Sequence, residues 1–236
     1  MNLVLLEEAD FIAADRVRLT GRRLAHVRDV FRAKPGAELR VGVIGGRIGQ
    51  GRIVVIDNEQ LEMEIALNRD PPDALPLRLI LALPRPKVLN RTIAAAASMG
   101  IRDIHLINAW RVEKSYWNSP RLCDESLRMQ SVLGLEQAGD TVLPTIRLHR
   151  LFTPFVREDL PNLIAGRLPL LADPGAEREF PRQVSEPVVL AIGPEGGFIE
   201  GELHALREAG FTPVSLGPRV LRVETAIACA VGRLLA

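Results

Sequence analysis

Two short segments near the C-terminus have the residue types expected of loops that hold a small molecule. The first reads Ile192-Gly193-Pro194-Glu195-Gly196-Gly197-Phe198 after an apolar run, and the second begins Leu216-Gly217-Pro218-Arg219. Glycine suits a backbone that approaches a ligand closely or takes a positive φ. Ligands of parallel sheets bind outside the carboxyl ends of the strands. Two such loops predict one shared pocket, although each is also explained as a tight turn without a ligand.

The same segments argue against several other chemistries. Neither has the Lys-Ser/Thr ending of a P-loop or the Gly-x-Gly-x-x-Gly pattern of a dinucleotide fold. A phosphate-bearing cofactor is therefore not indicated, whereas a cofactor held mainly by backbone groups is compatible with both loops. The chain lacks a Gly-x-Ser-x-Gly nucleophile motif, and its four histidines share no metal-ligand spacing, so we expect no metal.

An aromatic and basic cluster lies in a predicted loop in the middle of the chain. Trp110, Tyr116 and Trp117 stand close to Arg111 and Lys114. Aromatic rings with adjacent cations can stack an unpaired base. The same rings can equally plug the loop against the core, and the sequence leaves both interpretations open.

Basic charge is concentrated in two parts of a chain whose net charge is only +1. Residues 16–52 hold ten Lys or Arg against two acids, and residues 78–121 hold eight against two. Clustered positive charge is the pattern expected of a surface that binds a phosphate backbone. The alternative is solvated arginine without a partner, since only three of the thirty basic residues are lysine. The candidates for binding nucleic acid are Arg16, Arg22, Arg23, Arg28 and Arg32.

The bulk composition predicts a cytoplasmic protein. No apolar run is long enough to cross a bilayer, so we expect no membrane association. The N-terminus lacks the basic region of a signal peptide and reaches Glu7 and Glu8 at once. Cys123 and Cys229 are far apart, which favours free thiols in a reducing compartment.

The first seventy residues predict a small β-rich domain. Strands are indicated over 16–19, 38–44, 47–56 and 61–67, with a helix from a capping Thr20 to Phe31. This pattern is typical of a barrel. Three prolines within residues 68–76 indicate a linker, so we place the domains at 1–70 and 71–236.

The second domain predicts alternating strands and helices, which is typical of an α/β fold with a mainly parallel sheet. The predicted strands are 77–83, 104–107, 145–148, 168–172, 188–192 and 213–216. The predicted helices are 86–99, 122–138, 200–209 and 223–235, the first with proline at its start and glycine just past its end.

The two loops together resemble a known family signature. The first loop, then Ala209-Gly210-Phe211, then the stretch Leu216 to Ala226 containing Arg219-Val220-Leu221-Arg222-Val223-Glu224-Thr225, is similar to the C-terminus of the ribosomal RNA uridine-N3 methyltransferases of the SPOUT superfamily. His26 to Arg32, followed by Pro35-Gly36, resembles that family's RNA-binding PUA-like domain.

This resemblance implies a fold, a cofactor and an assembly. The C-terminal domain would form a trefoil knot, and the N-terminal domain a PUA-like β-barrel. The protein would be a homodimer that methylates a uridine of small-subunit ribosomal RNA with S-adenosylmethionine. The residues expected around the cofactor are Leu171, Ala172, Ile192, Gly193, Glu195, Gly196, Gly197, Leu216, Gly217, Leu221 and Arg222.

Arg222 is the catalytic candidate. Loss of the proton from uridine N3 leaves an anion that needs a nearby positive charge, and arginine stays charged at any working pH. Glu195 and Glu224 either orient the site or only cap helices. The chain departs from the family pattern at Asp140, where the family has arginine, so a SPOUT enzyme acting on another nucleotide and a non-catalytic RNA-binding assembly factor stay as alternatives.

Overall fold

The computed structural model describes residues 2–235. The chain forms two compact units. The first contains the described residues up to Asp73 together with Val132–Leu143, and the second contains Ala74–Ser131 and the described residues from Pro144 onward. The sequence does not predict that the segment 132–143 belongs with the N-terminal residues. Among the described residues, no helix is long and apolar enough to span a bilayer.

The first unit is built on a six-stranded sheet of order β1-β4-β5-β6-β3-β2. Only β1 and β4 pair in parallel, and the other neighbours are antiparallel. The two short strands β1 and β2 are absent from the sequence-based prediction, whereas the other four match predicted strands. The strands are β1 Val4–Leu6, β2 Phe11–Ala13, β3 Arg16–Leu19, β4 Glu38–Val43, β5 Ile48–Ile56 and β6 Leu61–Arg69.

The predicted helix from Thr20 to Phe31 is wrong in its second half. Helix α1 covers only Gly21–Ala25, and the chain widens into a π-turn over His26–Val30. Thr20 precedes the helix in an extended conformation, but its side chain makes no capping hydrogen bond. The wider turn breaks the helical spacing on which the prediction depends, so Phe31 ends 43% exposed.

The segment 132–143 completes the first unit through backbone hydrogen bonds. The Asn2 amide donates to the Glu136 carbonyl at 2.8 Å, and the Gly45 amide donates to the Thr141 carbonyl at 2.8 Å. The Thr141 hydroxyl donates to the Gly46 carbonyl at 2.6 Å. These bonds satisfy polar groups that the sheet alone leaves unpaired.

The second unit confirms the predicted α/β architecture. Its six strands are all parallel, in the order β12-β10-β11-β7-β8-β9. The central strands are buried along nearly their whole length, as expected of a sheet covered on both faces. The strands are β7 Leu77–Ala82, β8 Asp103–Ile107, β9 Thr145–His149, β10 Leu168–Ala172, β11 Val188–Ile192 and β12 Thr212–Val214.

The helices of the second unit follow the predicted order with two differences. Helix α3 begins at Asp124, because Pro120–Leu122 forms a separate 3-10 turn. Helices α4 and α5, joined by a π-turn over Phe155–Asp159, are absent from the prediction. The helices are α2 Pro86–Ser98, α3 Asp124–Ala138, α4 Phe152–Pro154, α5 Leu160–Ile164, α6 Glu200–Glu208 and α7 Val223–Leu235. Helix α3 belongs to the second unit only as far as Ser131, and its residues from Val132 onward belong to the first unit.

A line of polar side chains enters the apolar core of the second unit. His105 of β8 is 1% exposed, and its Nδ1 lies 2.9 Å from His149 Nε2 on β9. His149 Nδ1 continues the line to Asp159 Oδ2 at 3.1 Å. His105 Nε2 lies 3.1 Å from Asp103 Oδ1, without the orientation of a hydrogen bond. The buried imidazole of His105 therefore has a strong preference for its neutral form.

We expect the free energy of unfolding to fall as the pH drops from 6.5 to 4, and to fall less in a His105→Gln variant. Burial is the main cause that lowers the pKa of His105 from 6.5 to about 4. Between these values only the unfolded chain takes up the proton, so stability present above pH 6.5 is lost as the pH falls through 4. The loss of unfolding free energy over this pH range should be greater in the wild type than in the variant by about 3 kcal/mol. Urea unfolding over this pH range measures it, and equal acid sensitivity of both proteins would contradict the assignment.

Candidate cofactor site

The two glycine loops meet at the carboxyl edge of the parallel sheet, as predicted. The first follows β11 and the second follows β12, with β10 between these strands in the sheet. Together with the residues after β10 and the start of α2, they surround a cavity of about 910 Å³. That volume lies within the range of small-molecule and cofactor sites.

Ten of the eleven residues predicted around the cofactor line this cavity. They are Ala172, Ile192, Gly193, Glu195, Gly196, Gly197, Leu216, Gly217, Leu221 and Arg222. Leu171 is fully buried in the core beneath it. The structure thus brings together residues from three separate loops, as the order of parallel strands requires.

Sequence reasoning missed the contribution of α2 to this cavity. Arg85, Val88 and Arg91 line it from the first turns of that helix. A signal was available, because Pro86 marks a helix start directly after β7, and β7 neighbours β11 in the sheet. The cavity is also lined by Asp173, Pro174, Gly175, Phe198, Leu203, Arg219 and Val220.

The first glycine loop needs glycine for two different reasons. A Cβ atom at Gly193 would lie 3.0 Å from the amide nitrogen of Phe198, so the backbone there would have to shift by a few tenths of an ångström. Gly197 has a φ of +73°, and its amide donates to the Pro194 carbonyl at 2.7 Å. Side chains other than glycine rarely adopt that conformation. The loop is therefore a compact turn, and the backbone of its glycines lies beside the cavity.

Two glutamates at the cavity have structural partners. Glu195 Oε1 accepts a hydrogen bond from the Arg85 amide at 3.1 Å, which satisfies a free backbone donor at the start of α2. Glu224 Oε1 lies 3.1 Å from Arg91 Nη2. Arg222 is exposed, and among the described residues no hydrogen bond or ion pair involves its side chain. Glu224 therefore pairs with Arg91 and not with its sequence neighbour Arg222.

The charges around the cavity are mixed. Four arginines face three carboxylates, two of which already bind Arg85 and Arg91. The third, Asp173, accepts the Gly175 amide at 2.9 Å. No group of three His, Cys, Asp or Glu within residues 2–235 has the arrangement needed to hold a metal. The site offers backbone groups, apolar side chains and guanidinium groups.

The loop with the aromatic cluster is fastened to the first glycine loop and to α6. The Arg111 Nη1 group donates to the Gly196 carbonyl, and the Trp110 amide donates to Glu202 Oε1 at 2.7 Å. The other oxygen of the buried Glu202 carboxylate accepts the Ile199 amide at 3.0 Å. One carboxylate thus holds both the loop and the start of α6.

The rings of the aromatic cluster differ in burial and in hydrogen bonding. Trp117 is buried, and its indole N–H donates to Asn108 Oδ1 at 2.9 Å, so it plugs the loop. Tyr116 donates its hydroxyl to Glu113 at 3.0 Å, and burial followed by this bond raises the pKa of Tyr116. Trp110 is 79% exposed.

Most of the predicted RNA-binding arginines have acidic partners within the first unit. Arg22 makes two hydrogen bonds of 2.9 Å to the buried Glu136. Arg23 binds Asp10 at 2.5 and 2.7 Å. Since both acids lie outside residues 16–52, the charge counted along that segment overstates the free positive charge of the unit.

The other three candidates differ among themselves. Arg16 lies 3.8 Å from Glu62, and Arg28 binds the neighbouring Asp29 at 2.6 and 2.9 Å. Arg32 is exposed at a φ of +51°, and no ion pair or hydrogen bond of its side chain occurs among the described residues. Arg32 therefore has the most available charge of the five.

Comparison with known proteins identifies the class of protein that this fold and site define. Residues 71–235 match the RNA methyltransferase domain family, which covers more than half of the chain. The chain belongs to this family.

Individual relatives agree with that assignment over both units. The Ribosomal RNA small subunit methyltransferase E of Treponema pallidum (strain Nichols) is 31% identical over 98% of this chain and 90% of its own length. A putative methyltransferase from Legionella pneumophila, solved with bound cofactor SAM, has a TM-score of 0.75 at 25% identity, covering 99% of this chain and 96% of that one. The small subunit methyltransferase E from Neisseria gonorrhoeae shares the fold, with a TM-score of 0.74 at 22% identity over 98% and 95% of the chains.

Replacing Glu202 by Ala should destabilise the second unit by about 1–3 kcal/mol, because two backbone amides lose their acceptor. Glu200→Ala is the matched control, since Glu200 lies on the same helix and, within residues 2–235, pairs with Arg207 alone, at the surface. Chemical denaturation of both variants measures the difference. Equal stability of the two would show that the Glu202 carboxylate does not hold the loop.

Proposed function

We propose that this RNA methyltransferase transfers a methyl group from S-adenosylmethionine to N3 of a uridine in small-subunit ribosomal RNA. The observation that carries the proposal is the cavity in which two glycine loops and the start of α2 converge. The names of the relatives, and the SAM bound in the Legionella protein, support it. The homodimer, the trefoil knot, the PUA-like barrel over residues 1–70 and the cytoplasmic location belong to the same proposal.

The residues of the cavity fit S-adenosylmethionine. Apolar side chains of Ile192, Leu216 and Leu221 can receive the adenine ring, and the backbone at Gly193 and Gly197 can reach the polar groups of the ligand. When bound, the cofactor supplies an activated methyl group on its sulfonium. No phosphate-binding motif or metal is needed for such a ligand.

Chemistry at uridine N3 places requirements on the protein. N3 lies on the Watson–Crick face, so the base must be unpaired or flipped out. The N3 proton must leave, and the uracil then carries negative charge. Arg222 is exposed at the cavity without an acidic partner among the described residues, so its guanidinium is available to stabilise that charge. Positioning of the base against the methyl group should supply much of the rate.

The first unit is proposed to bind RNA through its cations. Arg32 is the strongest candidate, whereas Arg22 and Arg23 neutralise buried carboxylates and should contribute less to phosphate binding. Arg16 and Arg28 are intermediate, since each already lies beside one acid.

The departure at Asp140 does not favour a different RNA target. The Asp140 side chain is buried, and its Oδ1 accepts the amides of Thr141 and Val142 at 2.6 and 3.1 Å. Its charge therefore serves a turn of the first unit instead of facing a nucleic acid.

Nucleoside mass spectrometry after radiolabelled methyl transfer to whole ribosomal RNA tests the proposed methylation of uridine N3. A methylated ribose or guanine, or no product, would overturn it.

Gly197→Val should abolish binding of S-adenosylmethionine. Valine is strongly disfavoured at a φ of +73°, so the loop beside the cavity must change conformation. Gly201→Val is the matched control, because a side chain at that position on α6 enters open space. Calorimetry on both folded proteins measures the affinity. Normal binding by a folded Gly197→Val protein would remove this loop from the site.

Arg222→Ala should lower the single-turnover rate by roughly two or three decades, while Arg222→Lys should lose less because it keeps the charge. Both variants should retain cofactor affinity. Arg157→Ala, at an exposed position in the π-turn, is the control for a lost surface arginine. Rates are measured alongside sedimentation, and a normal rate in Arg222→Ala would end the catalytic assignment.

A further inference from the structure

The exposed Trp110 is the aromatic residue that the proposed chemistry leaves without a role. Its side chain is 79% exposed, although tryptophan is normally largely buried. Its neighbour Trp117, seven residues along the same loop, is buried and hydrogen-bonded. The exposure of Trp110 is thus a property of its position and not of a loosely packed loop.

The backbone at Trp110 is held by hydrogen bonds and by buried neighbouring residues. Glu202 accepts the Trp110 amide at 2.7 Å, and the Val112 amide donates to the Ala109 carbonyl at 3.0 Å to close the turn. Ala109 and Val112, which flank the exposed pair, are both buried. A large ring on a fixed backbone loses little conformational entropy on binding, which is the property of aromatic anchors at recognition surfaces.

The position of Trp110 relates it to the proposed site. The next residue, Arg111, donates to the carbonyl of Gly196, and Gly196 lines the cavity. The indole is therefore carried by a loop in direct contact with the loop proposed to hold the cofactor.

The charge around Trp110 indicates the chemistry of the partner. Arg111 and Lys114 are exposed in the same loop. The acid of this loop, Glu113, accepts the Tyr116 hydroxyl. An exposed ring among cations suits a base attached to a phosphate backbone better than an apolar protein surface.

We propose that Trp110 is a stacking platform for an unpaired RNA base that lies next to, or is itself, the methylated nucleotide. The inference rests on the proposed function for its location, but base stacking can be measured without methyl transfer. Arg111 then has two contacts to make, one with the Gly196 carbonyl and one with the RNA backbone beside the stacked base.

Fluorescence anisotropy tests the platform, with labelled RNA hairpins and S-adenosylhomocysteine present. One hairpin has a loop of unpaired uridines, and the other has the same loop with abasic sites. Trp110→Ala should weaken binding of the uridine hairpin by roughly 5- to 150-fold, the range of lost base–aromatic stacking. Its affinity for the abasic hairpin should match that of the wild type. Trp110→Phe should restore most of the loss, whereas Trp110→Leu should not.

Leu151→Ala is the matched control, because Leu151 is also an exposed apolar residue of the second unit, at 64%. It should leave both affinities unchanged. Equal weakening of both hairpins by Trp110→Ala, or no weakening of either, would overturn the proposal. Altered sedimentation with unchanged RNA affinity would overturn it in favour of a protein contact.

Methyl transfer to ribosomal RNA separates this inference from the proposed function. A wild-type protein that shows the Trp110-dependent preference for bases but yields no methylated nucleoside would contradict the function and keep the platform. A protein that methylates uridine equally well with Trp110 or Ala at this position, at limiting RNA, would contradict the platform and keep the function.

Discussion

The parallel sheet of the second unit imposes the constraint from which its other features follow. Strands β7 and β11 lie side by side in the middle of the sheet and are buried along nearly their whole length. Parallel neighbours need crossover connections, and burial on both faces requires helices there. The carboxyl ends of β7, β10, β11 and β12 consequently lie at one edge of the sheet, so the loops that follow these strands lie next to one another. The cavity is the space between those loops.

Three glutamates hold the loops and helices around the cavity, because each binds a backbone amide or an arginine side chain at or near a helix start. Glu195 accepts a backbone amide at the start of α2, Glu202 accepts one before α6, and Glu224 at the start of α7 binds Arg91. Acidic side chains near helix N-termini are also favoured by the helix dipole. Because these carboxylates are occupied, the cavity offers mainly backbone atoms, apolar side chains and the exposed guanidinium groups of Arg219 and Arg222.

The sequence predicts features that depend on neighbouring residues and misses those that depend on distant ones. Apolar runs and glycine loops specify β11 and the turn at Gly197 locally, so the side of the cavity formed by the two loops was predictable, whereas the side formed by the start of α2 was not predicted. The pairs of Arg22 with Glu136 and Arg23 with Asp10 join residues that only the fold brings together, and charge counted along the chain cannot detect them. The π-turn at His26–Val30 was also not predicted, because the apolar residues there have the spacing of a regular helix.

The composition of the first unit has a consequence for synthesis of the chain. A ribosome that has completed β6 has made every strand of that unit's sheet, but not the segment 132–143 that supplies Glu136 and Thr141. Arg22 then lacks its carboxylate, and the Gly45 amide lacks its acceptor, until more than half of the polypeptide has been translated. The N-terminal sheet therefore cannot reach its final stability during translation of its own strands. The N-terminal sheet therefore stays incomplete from the synthesis of β6 until the segment 132–143 has been made.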